Sequence, residues 1–106
     1  MNITLVEQIV SQQKALLLYF FSDHCAPCIS LRPKVQEMVA NDFPKMEVLY
    51  IDSEKHPEIT AHYGIFSNPT IVVFFEGREF QRWSKFVAVT QIGQAVERPY
   101  DLIFEE

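Results

Sequence analysis

Two cysteines separated by two residues carry the most chemical information in this sequence. Cys25 and Cys28 are the only cysteines among the 106 residues, and Ala26 and Pro27 lie between them. Two thiols at this spacing can close a disulfide and open it again by exchange with another thiol. The pattern therefore makes thiol–disulfide exchange the leading hypothesis for the chemistry of this chain.

The segments on either side of the cysteines place them at a turn from a strand to a helix. Residues 15–21 are an apolar run without alternation, which is typical of a strand covered on both faces. Residues 28–40 carry apolar side chains at helical spacing, and Pro33 is expected to kink this helix. Cys25 is thus predicted to lie at the helix start, where unpaired N–H groups favour a thiolate nucleophile. Cys28 lies one turn further in and is predicted to be the more buried, resolving thiol.

The rest of the chain alternates between helical and extended patterns. Thr4 and Glu7 form a capping-box pattern at the start of a predicted helix that ends near residue 12. The other predicted elements are strands over 46–51, 70–75 and 79–84, a short helix from Pro57 to about Tyr63, and a last helix over 88–98 ended by Pro99. Glu76-Gly77 predicts a hairpin turn between the last two strands. This order predicts a single α/β domain over residues 1–106 with a small mixed sheet, in which residues 99–106 are a C-terminal extension.

Composition and charge exclude some classes of function. The formal net charge of −5 argues against a nucleic-acid-binding protein, which would show a basic face. No stretch is apolar for long enough to cross a membrane, and the first residues lack the basic segment of a secretory signal. We therefore expect a cytoplasmic protein without nucleic-acid or membrane partners, whose thiols rest mostly in the reduced state.

Several short motifs in this order resemble the thioredoxin family over nearly the whole chain. They are the CAPC motif after an apolar strand, Pro33 inside the next helix, Ile51-Asp52, Tyr63-Gly64-Ile65, Asn68-Pro69-Thr70 and Gly77. The resemblance implies an α/β fold of three layers (α/β/α) around a four-stranded mixed sheet, without the family's first edge strand. It also implies that Pro69 is the family's cis-proline, packed against the disulfide.

The resemblance implies roles for residues around the two cysteines. Cys25 and Cys28 are the expected catalytic pair, and Pro27 and Pro69 are expected supporting residues. His24 is a further supporting candidate on chemical grounds, because a cationic imidazole could stabilise the Cys25 thiolate or carry a proton; the alternative is an exposed loop histidine with no catalytic part. The residues expected to contact a substrate are Asn68, Phe66 and Thr70. The reaction needs no organic cofactor, since the disulfide itself is the redox group. The expected partners are protein disulfides as substrates and a thiol reductase, or another thiol, as electron donor.

The chain also departs from the family pattern at functional positions. Tyr19, predicted to be a core residue, stands where the family has a buried carboxylate, and Val48 stands where it has the accompanying lysine. The other departures are His24 for a tryptophan, Ala26 for the glycine between the cysteines, Asn68 for an apolar residue, and Lys85 for a glycine in the substrate groove. These losses keep a second hypothesis open, a thioredoxin-like adaptor that binds a partner with weak or no turnover.

Two further readings concern a metal ion and the C-terminus. Zinc needs four ligands, commonly Cys and His, and the only histidines are His24, His56 and His62, the last two distant in sequence from the cysteines. No metal site is therefore predicted, although two chains could share an ion between their cysteine pairs.

The apolar and acidic residues 100–106 are expected to dock on their own domain rather than on a partner.

Overall fold

A four-stranded mixed sheet forms the centre of the protein, and its computed structural model describes residues 1–105. The elements follow the predicted order of helix, strand, helix, strand, helix, strand, strand, helix. Their bounds are α1 Ile3–Gln12, β1 Ala15–Phe21, α2 Ala26–Asp42, β2 Glu47–Asp52, α3 Pro57–His62, β3 Thr70–Phe75, β4 Arg78–Trp83 and α4 Val89–Phe104. The predicted α/β fold with a four-stranded mixed sheet is confirmed.

The strands are arranged in the order β2-β1-β3-β4. β1 runs parallel to β2 and antiparallel to β3, so that Tyr19 lies between Tyr50 and Ile71 in register. α2 provides the crossover between the two parallel strands, as parallel pairing requires. β3 and β4 form the predicted hairpin, in which Glu76 and Gly77 both adopt positive φ, at 51° and 82°. A turn of this geometry matches the twist of the flanking strands.

Successive residues of β1 pack into two separate cores, because side chains alternate between the faces of a strand. The core on one face, called here the α2/α4 face, contains Ala15, Leu17 and Tyr19 with Leu31 and Val35 of α2 and residues of α4. The core on the opposite face, the α1/α3 face, contains Leu16, Leu18, Phe20, Val6, Val10, Ile51, Ile59, Ile65, Val72 and Phe74. The apolar run without alternation therefore reflects a strand buried on both sides.

The start of α1 differs from its prediction. The N-cap residue is Asn2, whose Oδ1 accepts a hydrogen bond from the Leu5 N–H at 2.8 Å. The predicted capping box of Thr4 and Glu7 is therefore wrong, since Thr4 already lies inside the first turn. Asparagine is among the residues that cap a helix best, and it stands one position before the first helical residue.

The end of α4 also differs, because the helix continues through Pro99 to Phe104. Tyr100 is buried against Phe43 in an edge-on contact with 5.0 Å between ring centroids, and its hydroxyl accepts a hydrogen bond from the Lys45 N–H at 2.9 Å. Phe104 packs on Tyr100 at 4.7 Å. This packing offsets the roughly 3 kcal/mol that proline costs inside a helix. The described part of the 99–106 extension thus docks on its own domain, and Glu106 lies outside the described residues.

Two other features complete the description of the fold. Pro33 lies inside α2, as predicted, and the helix continues beyond it to Asp42. Among residues 1–105, none of the helices has the length and apolar character needed to span a bilayer.

Candidate active site

The two cysteines form a disulfide where the chain passes from β1 into α2. Cys25 is the N-cap residue of the helix, and Cys28 lies in its first turn, with 5.3 Å between the two Cα atoms. The short connection from β1 is held by the Ser22 carbonyl, which accepts a hydrogen bond from the Cys25 N–H at 3.3 Å. Ser22 Oγ accepts a second one from the His24 N–H at 3.2 Å. The strand and the helix together fix the position of both sulfur atoms.

A backbone donor of the helix points at the sulfur of Cys25. The Cys28 N–H lies 3.2 Å from Cys25 Sγ and donates a hydrogen bond to it. Pro27 in the same turn has no N–H group, so it does not compete with the Cys28 N–H as a donor to Cys25 Sγ. When the disulfide is reduced, this donor and the helix dipole favour the anionic form of the same sulfur.

The two cysteines differ in their access to solvent. Cys28 is only 2% exposed, whereas Cys25 is partly exposed. An incoming disulfide can therefore approach Cys25, while Cys28 lies behind it at the base of the turn. Pro27 and Ala26 are exposed beside the pair and leave that approach open.

The hydroxyl of Tyr19 contacts the turn that carries Cys28. Tyr19 is fully buried in the middle of β1, and its O–H donates a hydrogen bond of 2.8 Å to the Cys28 carbonyl. Burial raises the pKa of Tyr19 to about 12, in spite of the opposing charge of Arg32. Tyr19 is a core residue, as predicted, and it stays neutral and a hydrogen-bond donor. The sequence contained one signal for this contact, because a hydroxyl in a fully buried strand needs a partner.

The guanidinium of Arg32 stacks on two aromatic rings near Tyr19. Its guanidinium carbon lies 4.1 Å from the ring centroid of Tyr50 and 4.9 Å from that of Phe21. Tyr50 packs against Tyr19 with 5.6 Å between centroids, and burial raises its pKa. The Tyr50 hydroxyl is buried and has no hydrogen-bond partner among the described residues. Sequence reasoning did not single out Arg32, since the stacking requires residues from three elements.

The loop before β3 carries the remaining predicted site residues. The Asn68–Pro69 peptide bond is cis, as the resemblance implied, and Pro69 is buried. The Ser53 hydroxyl donates a hydrogen bond of 2.9 Å to Asn68 Oδ1, which fixes the orientation of this amide. Thr70 is buried, and its hydroxyl donates to the Ser67 carbonyl at 2.6 Å. The Thr70 hydroxyl therefore closes a hydrogen bond within its own loop, and its contact with a substrate stays a prediction.

Comparison with known proteins identifies the family of this chain. The thioredoxin family model matches residues 3–98. The chain belongs to the thioredoxin family. Among curated proteins, it is 34% identical to a thioredoxin of Mycoplasma genitalium over 87 residues, which are 82% of this chain and 84% of that protein. It is 27% identical to the thioredoxin-like protein YdfQ of Bacillus subtilis over 97 residues, or 92% and 86% of the two chains.

Solved structures agree on the fold. A thioredoxin of Plasmodium falciparum superimposes with a TM-score of 0.80 at 24% identity and covers 92% of this chain and 93% of its own. Membership of the thioredoxin family, together with the Cys25–Cys28 disulfide, supports a thiol–disulfide oxidoreductase in general.

Exposed aromatic and charged side chains lie in the loops before β3 and after β4 of this thioredoxin-family protein. Phe66 is 97% exposed in the loop before Pro69, and Phe86 is 87% exposed after β4. Lys85 places its amine 5.0 Å from the ring centroid of Phe86. His24 is exposed beside Cys25. Sequence reasoning proposed Phe66, Lys85 and His24 as surface groups but missed Phe86.

The remaining observations concern two aromatic residues near the α2/α4 core and the grouping of possible metal ligands. Trp83 is partly buried and packs on the α2/α4 core. Phe21 is partly buried on the same core. Over residues 1–105, no three His, Cys, Asp or Glu side chains gather in a group that could hold a metal ion.

Proposed function

We propose that this protein reduces disulfides of other proteins in the cytoplasm, with Cys25 as the nucleophile and Cys28 as the resolving cysteine. The observation that carries the proposal is the difference between the two sulfurs. Cys25 is partly exposed and accepts the Cys28 N–H at 3.2 Å, whereas Cys28 is buried behind it. The exposed sulfur is the one whose thiolate the helix start stabilises.

The reaction proceeds in two exchange steps with balanced bonds and electrons. The Cys25 thiolate attacks one sulfur of a substrate disulfide, a mixed disulfide forms, and the other substrate sulfur leaves as a thiolate. The Cys28 sulfur then attacks Cys25, so that the Cys25–Cys28 bond forms and the second substrate sulfur leaves. Two electrons pass to the substrate. One proton from the Cys28 thiol and one from solvent, where the Cys25 proton went when the thiolate formed, end on the two released substrate thiols.

The oxidised protein must be reduced again before another cycle. A thiol reductase or another dithiol supplies two electrons and two protons by the same exchange in reverse. The electron donor therefore has to reach Cys25, the more exposed of the two sulfurs. No organic cofactor takes part in these steps, because sulfur carries the electrons throughout.

An extended segment of the substrate is expected to bind along the loop at Asn68 and Pro69. The backbone beside a cis-proline can pair with a peptide in the manner of an added strand. Ser53 holds the Asn68 side chain by its Oδ1 atom, which leaves the amide N–H groups free to donate. Phe66, 97% exposed on the same loop, adds an apolar contact for that peptide.

A second candidate function is a thioredoxin-like adaptor that binds a partner with little turnover. It is favoured by the exposed rings of Phe66 and Phe86 together with the neutral Tyr19 in place of an acid. An adaptor would keep the binding surface but would not need a fast second exchange step. Kinetics separate the two functions.

The deciding experiment is reduction of insulin disulfides by dithiothreitol, with and without the protein. We expect the wild type to accelerate the reaction and Cys25→Ser to abolish the acceleration. Serine retains an N-cap oxygen, so the variant keeps the start of α2 while losing the nucleophile. The matched variant Cys28→Ser should accumulate a mixed disulfide, visible as a mass increase. Equal rates for wild type and Cys25→Ser would reject the enzyme and leave the adaptor.

A further inference from the structure

The hydroxyl of Tyr19 joins two elements that the reaction needs to hold in register. It reaches from the centre of β1 to the Cys28 carbonyl at 2.8 Å, across nine residues of sequence. β1 is fixed on both sides, by β2 and by β3, and packs into both cores. The bond therefore anchors the first turn of α2 to the most constrained strand of the protein.

The first turn of α2 has reason to depend on such an anchor. Two prolines, Pro27 and Pro33, stand on either side of Cys28 in the helix. Pro33 has no N–H group, so the Ile29 carbonyl lacks the usual helical donor four residues later. A carbonyl oxygen has two lone pairs and can accept a hydroxyl in addition to a helical N–H group. The Tyr19 hydroxyl thus bonds the carbonyl that directly precedes the one left without a helical donor by Pro33.

The anchor has different consequences in the two redox states. In the oxidised protein the Cys25–Cys28 bond itself holds the two residues together. After reduction that covalent constraint is gone, and the position of Cys28 depends on non-covalent contacts, among them the Tyr19 hydroxyl. Loss of the hydroxyl would release conformational freedom mainly in the reduced protein, which disfavours closing the disulfide.

We propose that Tyr19 is a positioning residue for the resolving cysteine, which holds Cys28 against Cys25 in the reduced protein by its hydrogen bond to the Cys28 carbonyl. The inference rests on the proposed function, because only a Cys28 that attacks Cys25 benefits from being held in place. Tyr19 thus has a positioning role, although it stands where the family has a buried carboxylate that can transfer protons. Intramolecular attack is faster when the attacking group is already oriented.

The chain offers a matched control in the neighbouring tyrosine. Tyr50 packs on Tyr19 at 5.6 Å, and its hydroxyl is buried as well, but it makes no hydrogen bond to the turn that carries Cys28. Tyr19→Phe and Tyr50→Phe each remove one buried oxygen from adjacent rings beneath the same arginine. Only the first removes a bond to Cys28.

The test measures the equilibrium between the Cys25–Cys28 disulfide and glutathione for both variants. A hydrogen bond of ordinary net strength sets a limit of about a tenfold change in that constant, because the bond is present in the oxidised protein and only its difference between the two states counts. Tyr19→Phe should therefore move the potential by up to about 30 mV toward less negative values. The rate at which Cys28 resolves a mixed disulfide of Cys25 with an aromatic thiol should fall by about the same factor. Tyr50→Phe should leave both quantities at the wild-type value.

A third variant separates positioning from a general loss of stability. p-Aminophenylalanine at position 19 keeps an N–H donor on the same ring, and we expect it to restore the potential and the resolution rate. An unchanged potential in Tyr19→Phe, an equal shift in Tyr50→Phe, or no recovery with the amino analogue would overturn the proposal. The readouts need no protein substrate, so failure of insulin reduction in the wild type rejects the proposed function without imitating any of these results.

Discussion

The cores on the two faces of the sheet differ in polar content. The core of the α1/α3 face is built from Val, Leu, Ile and Phe, with Tyr63 at its margin. The core of the α2/α4 face contains the hydroxyls of Tyr19 and Tyr100, both hydrogen-bonded to backbone groups. The α2/α4 face also carries the helix that begins at the disulfide. The difference indicates that the α1/α3 face mainly stabilises the fold. The α2/α4 face stabilises the fold and also holds the cysteines in position.

The largest expected effect tests the α1/α3 face alone. Leu18→Ala removes a fully buried side chain there and should lower the free energy of unfolding by about 2–5 kcal/mol. Chemical denaturation of the oxidised and the reduced protein should give equal losses, because Leu18 points away from α2. Leu17→Ala is the control, because it removes a side chain of the same size from the preceding residue, which lies on the opposite face. A potential shifted by Leu18→Ala as far as by Tyr19→Phe would remove the distinction between the faces.

The second effect concerns alkaline stability of the α2/α4 face. The pKa of Tyr19 is raised from 10.0 to about 12 by burial, so the folded state keeps a proton that the unfolded state loses. The contribution is complete below pH 10 and is lost as the pH rises toward 12, by about 2 kcal/mol. Denaturation midpoints measured from pH 9 to pH 12 on wild type and Tyr19→Phe isolate this contribution. Parallel curves for the two proteins would contradict it.

The smallest effect distinguishes two hydroxyls within the α2/α4 face. Tyr100→Phe leaves the Lys45 N–H without its acceptor and should cost about 1 kcal/mol in the free energy of unfolding. Tyr50→Phe should change the free energy of unfolding less, since its buried hydroxyl makes no well-formed hydrogen bond in the described residues. Thermal unfolding of both variants provides the comparison. Equal losses would mean that satisfied and unsatisfied hydroxyls on this face cannot be told apart by energy.

Local patterns in the sequence were sufficient for most of the fold. The apolar run of β1, the turn residues Glu76-Gly77 and the proline at the start of α3 each act within a few residues, and each predicted its element. Helix ends were harder to predict. Pro33 and Pro99 both lie inside helices, but only the first was expected there. Tyr100 and Phe104 bind α4 to a loop more than fifty residues earlier in the chain, and no local pattern reports such packing.

The candidate site divides in the same way. The spacing of Cys25 and Cys28 and the x-Pro-Thr sequence were readable, because the motif holds the chemistry in adjacent residues. The contact of Tyr19 with Cys28 and the stacking of Arg32 on Tyr50 depend on how β1, β2 and α2 lie in space. Such contacts follow from tertiary geometry, and a sequence can only indicate that a buried hydroxyl or cation needs a partner.

The position of β2 at an outer side of the sheet bears on self-association. β2 pairs with β1 on one side, and within residues 1–105 no strand lies on its other side. An open strand edge is a template for pairing between copies of a protein. This strand begins with Glu47 and ends with Asp52. Glu47 is exposed, so two copies of β2 pairing in parallel register would bring its carboxylate against that of the second copy, and this charge opposes such pairing.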